Sequence, residues 1–249
     1  MNEKRVTRVI NHELLLKKLS IYGANNLSLK WFGSYLTGRK QYVRINGCCS
    51  TSSRLLQGVP QRSILGPILF LLFVNDMPLS IRDSTLEVYA DDTTLSKTTS
   101  WENVPHLTRA SNQDLIRWDE WSAQNKMSIN SLKTKSMLVT GKCLWNFVTS
   151  TTIDVNLNGR NIEHVTHFKL LGLMLDHDLS FNHQIEGLCK KLAKLIGFLH
   201  HISPYLKCSQ QDIYYSMIIK PVMLYGSMIW TSRSKENHFK VLHLQKTCN

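Results

Sequence analysis

The chain has 249 residues, of which 43% are hydrophobic, and its excess of Lys and Arg gives a formal net charge of +12. These values exclude an intrinsically disordered chain and are sufficient for one large or two modest domains with a hydrophobic core. The longest apolar run, 64–74, is interrupted by Gly66 and Pro67 and falls well short of the roughly 20 residues of a transmembrane helix, so we expect no membrane-spanning segment.

The N-terminus contains Glu3, Lys4, Arg5 and Arg8 and lacks the apolar segment of a secretory signal. None of the six cysteines forms a Cys-x-x-Cys pair, which favours reduced thiols over a zinc finger or a disulfide framework. We therefore predict an intracellular protein, in the nucleus or the cytoplasm, that is not secreted.

Apolar residues recur at helical spacing in 12–21 and again in 27–36, which predicts two helices followed by Gly23 and Gly38. From 41 to 56 the pattern alternates around an Asn-Gly dipeptide, which predicts a β-hairpin with a type I′ turn. Four basic residues lie on or beside this hairpin and are predicted to bind nucleic acid: Arg39, Lys40, Arg44 and Arg54.

Residues 14–75 contain eight Lys or Arg residues and no Asp or Glu. A basic surface of this kind binds phosphate through counterion release, which predicts a polyanionic partner. Charge alone is also compatible with a basic protein that has no such partner.

A loop at 57–61 precedes a predicted helix that Ser63 caps and that tolerates Gly66 and Pro67 in its first turn. The N-terminus of a helix attracts phosphate, so the loop is a candidate ligand site. Taken alone, the same residues are equally typical of a capped core helix.

Residues 86–95 have the composition of a strand, an acidic turn and a second strand, with Tyr89-Ala90-Asp91-Asp92 at the turn. Two adjacent carboxylates repel each other, so the pair requires water or a cation, and oxygen ligands favour Mg²⁺ or Mn²⁺. In isolation, such a pair is more often a solvated turn.

The C-terminal half alternates helices and short strands. Spacing predicts a helix over 107–121 with Trp118 and Trp121 in the core, short strands over 154–176 with a turn at Asn158-Gly159, and a helix over 181–200. Asp176, His177, Asp178 and His183 are residue types that bind transition metals, but their spacing matches no standard site.

Two blocks of this sequence, in this order, resemble the reverse transcriptases of non-LTR (LINE-type) retrotransposons. That family has G-V-P-Q-G-S-x-L-G-P-x-L-F and then [YF]-A-D-D, and this chain has GVPQRSILGPILF at 58–70 and YADD at 89–92. Three later segments also resemble family motifs: NSLKTKSM at 130–137 (N-x-x-K-T-x-x-M), KLLGL at 169–173 (K-x-L-G-V) and YGSMIW at 225–230, the end of a helix that begins near 214 (Y-G-x-x-x-W).

The resemblance implies an α+β fold, a right-hand polymerase palm with an antiparallel sheet and flanking helices, followed by a helical thumb. We expect the palm, with a remnant of the fingers, over 1–179 and the thumb over 180–249, the chain being N-terminally truncated with most of the fingers missing. The implied partners are an RNA template, a DNA primer and deoxynucleotides, and the implied cofactor is Mg²⁺ or Mn²⁺.

The resemblance also implies roles for individual residues. Asp91 and Asp92 would be catalytic metal ligands, and Lys133 would act near the leaving pyrophosphate, although a surface lysine at the start of a strand is an equal interpretation. The residues expected to contact nucleotide and template are Gln61, Arg62, Ser63 and Tyr89. Those expected to support the primer are Leu171 and Gly172.

The sequence departs from the family at two site positions. Asn2 stands where the family has a third metal-binding Asp, and Arg62 stands where it has a glycine. Asparagine is neutral and cannot offset the charge of two cations, and arginine would crowd a site that needs close backbone approach. Three hypotheses therefore remain: an RNA-directed DNA polymerase domain, a non-catalytic nucleic-acid-binding remnant, and an inert translation of a decayed element.

Overall fold

The structure is a computed structural model that describes residues 10–60, 63–90, 92–141, 153–231 and 239–243. The chain divides into two compact units, the first formed by 1–134 with 153–162 and the second by 135–152 with 163–249. Each unit mixes α-helices with small two-stranded sheets, so the predicted combination of helices and strands is present. Within the described ranges, no helix is both long and apolar enough to cross a lipid bilayer.

The first unit begins with two helices, α1 (His12–Ile21) and α2 (Asn26–Leu36), at the positions that the sequence predicts. Each has an asparagine cap: the Asn11 side chain accepts a hydrogen bond from the backbone N–H of Leu14, and the Asn25 side chain accepts one from that of Ser28. These caps satisfy N–H groups that have no partner inside the helix.

The third helix, α3 (Leu65–Val74), confirms the predicted helix and the hydrogen bond by which Ser63 caps it. Ser63 Oγ accepts a hydrogen bond from the Gly66 N–H at 3.0 Å and donates one to the Pro60 carbonyl at 2.7 Å. A β-carbon at position 66 would lie 3.0 Å from that carbonyl oxygen, so the close approach of the loop favours glycine. Leu69 and Phe73 are buried.

The main core of the first unit lies between α1, α2, α3 and one face of α4 (Val104–Gln124), which contributes Trp121. A charged residue, Lys18, lies at the edge of this core with its side chain 11% exposed. The Lys18 ammonium donates to the Phe73 carbonyl at 2.7 Å and to Asp76 at 2.6 Å, and it lies over the rings of Phe73 and Trp121. Lys18 therefore fastens α1 to the C-terminus of α3.

We expect Lys18→Met to lower the free energy of unfolding by about 1–2 kcal/mol, because the apolar stem is kept while two hydrogen bonds made by a charged group are lost. Urea unfolding followed by tryptophan fluorescence measures the change. Lys17→Met is the matched control, since Lys17 is exposed. Equal stability of the two variants would show that the Lys18 contacts contribute nothing.

Short hairpins complete the first unit. The predicted basic hairpin is present as two short ladders that bracket an interruption: β1 (Lys40–Gln41) pairs with β4 (Ser53–Arg54), and β2 (Arg44–Ile45) with β3 (Cys48–Cys49). Asn46 and Gly47 have φ of 48° and 86°, which confirms the type I′ turn. The other strand pairs are β5 (Thr85–Tyr89) with β6 (Asp92–Ser96) and β8 (Asn156–Leu157) with β9 (Arg160–Asn161).

The second unit joins two strand pairs to helices. β7 (Lys135–Ser136) pairs in parallel with β10 (Glu163–His164), and β11 (His167–Leu170) pairs with β12 (Leu173–Asp176). α5 (Asn182–Ile202) confirms the predicted helix and packs its apolar stripe on this hairpin and on the helices that follow. Those helices are α6 (Cys208–Tyr214), α7 (Lys220–Leu224) and α8 (Ser227–Trp230).

Two expectations about the fold need correction. The continuous helix expected over 214–230 is interrupted by a π-helical turn, Tyr215–Ile219, and by a break at Tyr225 and Gly226. Pro221 has no N–H to donate to the carbonyl four residues earlier, and Gly226 has a φ of 63°.

The second correction concerns the sheet. Where the sequence predicts one antiparallel palm sheet, the described residues form separate two-stranded sheets, one of them parallel. Asn2, where the resemblance implies a strand with the third metal-binding Asp, lies within residues 1–9, outside the described ranges. Among the residues that the structure describes, two-stranded ladders therefore stand where a wider sheet was expected.

Candidate functional site

The acidic turn is the tip of the β5–β6 hairpin. Tyr89 pairs with Asp92, which leaves two residues between the strands, and the first of them, Ala90, has a φ of 51°. Tyr89 is 67% exposed and Asp92 is exposed, and their side chains share one face because they are directly opposite. Asp91 itself lies outside the described residues. The predicted strand, turn and strand are confirmed, with Asp92 in contact with solvent.

The other end of this hairpin is held by a buried carboxylate. Asp114, on α4, is fully buried and accepts hydrogen bonds from the backbone N–H groups of Arg82 and Asp83 at 3.0 Å each. Arg117, one turn further along α4, donates to Asp114 at 2.8 Å and to Asp83 at 3.1 Å. The segment that enters β5 is therefore fastened to α4 by charge-assisted hydrogen bonds.

The same cluster reaches the strand that leaves the tip. Lys97 directly follows β6, and its ammonium lies 3.8 Å from an Asp83 carboxylate oxygen. We call Asp83, Lys97, Asp114 and Arg117 the hairpin clamp, because their contacts join the segment that enters β5 to the segment that leaves β6. Leu86 and Leu95, which pair across the strands, pack on two different hydrophobic clusters just above it.

Electrostatics agree with this arrangement. Burial by itself would raise the pKa of Asp114, but the hydrogen bonds from Arg82, Ser84, Asp83 and Arg117 outweigh it and lower that pKa. Hydrogen bonding to Asp83 and Asp114 raises the pKa of Arg117. The carboxylate is therefore held ionised at the base of the hairpin.

The sequence motifs that led to the acidic tip did not lead to the hairpin clamp. One other pattern in the sequence could have revealed the clamp. Asp114 lies four and seven residues before Trp118 and Trp121, which places a charged residue on a face of α4 that also carries core tryptophans. A buried charge needs partners, so this position predicts a structural ion pair.

The loop residues before α3 are described in part. Ser63 lies at the N-terminus of α3, where its hydroxyl is already engaged with Pro60 and Gly66. Gln61 and Arg62 lie outside the described residues. The helix end therefore has the polarity that suits an anion, and its contact with nucleotide stays a prediction.

The basic hairpin presents all four of its predicted binding residues to solvent: Arg39, Lys40, Arg44 and Arg54. Lys40 and Arg54 are directly opposite each other in the β1–β4 ladder. Like charges at such a position repel, and a bound phosphate would relieve that repulsion. The charge distribution thus favours a polyanion on this face.

Lys133 is exposed and precedes β7 by two residues. Its backbone N–H donates to the carbonyl and the side chain of Asn130, so the Asn130-x-x-Lys133 segment is a tight turn. The Lys133 side chain is therefore free to extend into solvent, which agrees equally with both interpretations of this residue.

In the second unit, Leu171 and Gly172 form the turn between β11 and β12, with φ of 46° and 89°. The Tyr225 hydroxyl donates a hydrogen bond to the Leu171 carbonyl, and the Tyr225 ring lies over Gly172. The Trp230 indole N–H donates to the Tyr225 carbonyl at 3.1 Å. The Y-G-x-x-x-W segment thus fastens the last helices to the turn that the sequence singles out.

A model of the family described as reverse transcriptase (RNA-dependent DNA polymerase) matches residues 8–175, more than half of the chain. The chain belongs to this reverse transcriptase family. The matched residues include the loop before α3, the acidic hairpin and the β11–β12 turn.

Curated relatives of this reverse transcriptase domain are RNA-directed DNA polymerases of mobile elements. The jockey element protein of Drosophila melanogaster is 29% identical over 85% of this chain and 23% of its own length. In the same organism, a probable polymerase of transposon X-element is 32% identical over 82% of the chain and 23% of its length, and one of transposon BS is 27% identical over 85% and 24%. The chain therefore spans about a quarter of the length of these relatives.

The donor chemistry of the hairpin tip suits a hard divalent cation, because Asp91 and Asp92 supply only carboxylate oxygens. Across the described ranges, no group of three or more His, Cys, Asp or Glu side chains is arranged to hold a metal ion. Asp176 and His183 instead bond to each other at 2.8 Å, with His167 stacked on His183. The acidic tip is thus the candidate cation site.

Proposed function

We propose that this reverse transcriptase domain is an RNA-directed DNA polymerase that joins deoxynucleotides to a primer 3′-hydroxyl on an RNA template. The observation that supports this most directly is the exposed acidic tip, where Asp92 is open to solvent on a hairpin whose base is hydrogen-bonded to the buried Asp114. Catalytic groups must be presented to substrate from a fixed position, and this geometry meets that requirement.

In this proposal Asp91 and Asp92 hold Mg²⁺ or Mn²⁺, which, when bound, stabilises charge on the attacking and leaving oxygens. Lys133 lies near the leaving pyrophosphate and offsets its negative charge. Gln61, Arg62, Ser63 and Tyr89 contact the incoming nucleotide and the template, with the N-terminus of α3 favouring phosphate. The exposed Arg39, Lys40, Arg44 and Arg54 bind backbone phosphates.

The proposal also assigns parts of the chain to the polymerase subdomains. Residues 1–179 form the palm and a remnant of the fingers, and 180–249 form the thumb. Leu171 and Gly172, at a turn supported by Tyr225, hold the primer end. We further propose that the protein acts inside the cell, in the nucleus or the cytoplasm, where its template and primer are found.

A second candidate function is nucleic-acid binding without catalysis. It is favoured by two residues, Asn2 at the position of a metal-binding Asp and Arg62 at the position of a glycine. A site with two carboxylates instead of three offsets less of the charge of two cations. The basic hairpin would keep its affinity for phosphate in either case.

Primer extension on an RNA template with Mg²⁺ or Mn²⁺ separates these functions. The comparison includes the unaltered chain, Asp91→Asn, and a double variant with Asn2→Asp and Arg62→Gly. We expect the double variant to incorporate at least about tenfold more nucleotide than the unaltered chain, and Asp91→Asn to remove incorporation from either background.

Binding to the same template and primer is measured in parallel at several salt concentrations. Incorporation that survives Asp91→Asn would contradict the proposed site. Salt-sensitive binding by all the variants, with no incorporation even by the double variant, would establish the second candidate instead. Aggregation of every variant on expression would favour an inert translation.

A further inference from the structure

An aromatic and cationic stack begins on the exposed side of α2 and ends just beyond the C-terminus of that helix. The rings of Trp31 and Tyr35 are stacked with centroids 5.5 Å apart and planes 8° apart. The Arg39 guanidinium lies 4.6 Å above the Tyr35 ring and is fixed there by a hydrogen bond from Nε to the Tyr35 carbonyl at 2.6 Å. Trp31 and Tyr35 share one face of α2 because they are four residues apart, and Arg39, which follows the end of the helix, covers the Tyr35 ring.

Trp31 is 54% exposed although it is a large aromatic residue. Its neighbour Phe32 packs against the main core of the first unit and meets the indole edge to face at 5.1 Å. The indole is therefore held in one orientation by Phe32 and Tyr35 while more than half of the residue remains open. A flat, rigid and accessible ring of this kind loses little entropy when a second planar group stacks on it.

The charged residues that are close to the stack in the sequence are all Lys or Arg. No Asp or Glu occurs between residues 14 and 75, and Lys30 and Lys40 flank the stack with exposed side chains. Lys40 begins the β1–β4 ladder and is opposite Arg54, so the stack leads directly into the basic hairpin. Exposed basic side chains that can contact phosphate therefore lie close in sequence to the exposed ring.

These observations favour an unpaired nucleobase over other occupants. Bases of a single strand stack on aromatic side chains while neighbouring phosphates bind Lys and Arg, whereas the bases of a duplex are stacked on each other and are not available. A protein segment could pack against the Trp31 ring, but the basic, acid-free surroundings would favour its binding only if the segment were strongly acidic.

We propose that the Trp31–Tyr35–Arg39 stack is a binding platform for single-stranded nucleic acid, on which one unpaired base stacks against Trp31 while its flanking phosphates contact Lys30 and Lys40. The platform rests on the proposed nucleic-acid-binding function and adds a contact that is independent of sequence and of the acidic tip. It holds a strand by its bases, whereas the basic hairpin holds it by charge.

The test compares the affinity of the full chain for a labelled oligothymidylate of about 12 nucleotides and for an abasic strand of the same length, by fluorescence anisotropy at several salt concentrations. We expect the unaltered chain to bind the oligothymidylate about tenfold more tightly than the abasic strand. Trp31→Ala removes this advantage and leaves the salt dependence unchanged, whereas Trp31→Phe, which keeps a ring, retains most of it.

Leu27→Ala is the matched control, because Leu27 is 77% exposed and lies one turn before Trp31 on the same helix. It should bind as the unaltered chain does, and circular dichroism should show the same helix content in all variants. Three results would overturn the platform: equal affinity for the two strands, unchanged affinity in Trp31→Ala, or an equal loss in Leu27→Ala.

The outcomes also separate the platform from the proposed function. If nucleic-acid binding is sensitive to salt but does not depend on Trp31, the platform is rejected and the exposed indole is assigned to a protein contact. The polymerase proposal is unaffected by that result. Failure of the polymerase proposal is determined separately, by primer extension with the unaltered chain and its Asp91→Asn variant.

Discussion

Replacing Asp114 with alanine is expected to lower the free energy of unfolding by about 2–4 kcal/mol, since hydrogen bonds to a charged acceptor are lost and buried N–H groups keep no partner. Asp114 is fully buried and accepts bonds from the backbone of Arg82 and Asp83 and from the Arg117 side chain. Arg117 would keep its hydrogen bond to Asp83, so the loss of unfolding free energy stays below the loss expected when a buried charge is left with no partner.

Urea unfolding followed by tryptophan fluorescence measures this change, because Trp118 and Trp121 lie on the same helix. Glu120→Ala is the control, since Glu120 is an exposed acidic residue of α4. Hydrogen exchange of the β5 and β6 amides should rise in Asp114→Ala and not in the control. If the two variants unfold at the same urea concentration, the hairpin clamp does not stabilise the first unit.

The clamp also gives the stability a dependence on acid pH. The pKa of Asp114 in the folded protein is lowered from its ordinary value of 3.8, so its ionised form stabilises the fold above about pH 3.8. This contribution is lost as the pH falls below 3.8 through the folded pKa. The stability deficit of Asp114→Asn relative to the unaltered chain is therefore expected to shrink below about pH 3.8. A deficit that stays constant down to about pH 2 would contradict this dependence.

Gly226→Ala is expected to destabilise the second unit by about 2–5 kcal/mol. Gly226 has a φ of 63°, which costs an L-residue about 1–2 kcal/mol, and its added β-carbon would lie 2.7 Å from the Leu173 side chain. Leu173 is buried between the β11–β12 hairpin and the helices, so it must repack at a further cost of about 1–3 kcal/mol.

Thermal unfolding measures the effect of this substitution, with Gly187→Ala as its control. Gly187 lies inside α5 and a β-carbon there meets no atom within 4 Å, so alanine should leave the stability unchanged or raise it by up to about 1 kcal/mol. Primer extension by Gly226→Ala should also fall, because Tyr225 supports the Leu171–Gly172 turn. If Gly226→Ala is as stable as Gly187→Ala, the helix break at 225–226 can rearrange to accept a side chain without lowering the free energy of unfolding.

Local features of the fold were predictable because their causes are local. The helices α1 and α2 follow from apolar spacing between asparagine caps and glycine stops, and the turn at Asn46 and Gly47 follows from a dipeptide that tolerates positive φ. The acidic hairpin was predictable for the same reason. The family match confirms the resemblance, and the role that the resemblance implies for this hairpin stays a prediction.

Features that depend on distant residues were not predictable. The clamp joins Asp114 to backbone groups of Arg82 and Asp83, 32 and 31 positions earlier, and no periodicity records such a contact. The interruption of the last helix arises from Pro221 together with the docking of Tyr225 on a turn 54 residues earlier. The exposed stack on α2 was not predicted because Trp31 and Tyr35 fit the apolar pattern of an ordinary core face.

The β5–β6 hairpin has five residues in each strand, fastened at one end and carrying the acidic pair at the other. At about 3.3 Å per residue, the tip of the hairpin lies about 16 Å from its base at the hairpin clamp. A tilt of about 5° at the base would therefore displace the tip carboxylates by about 1.4 Å, and displacements of that size cost enzymes about a hundredfold in rate. In the proposed polymerase site, the accuracy with which Asp92 is positioned would therefore depend on the contacts that α4 makes with the base of the hairpin.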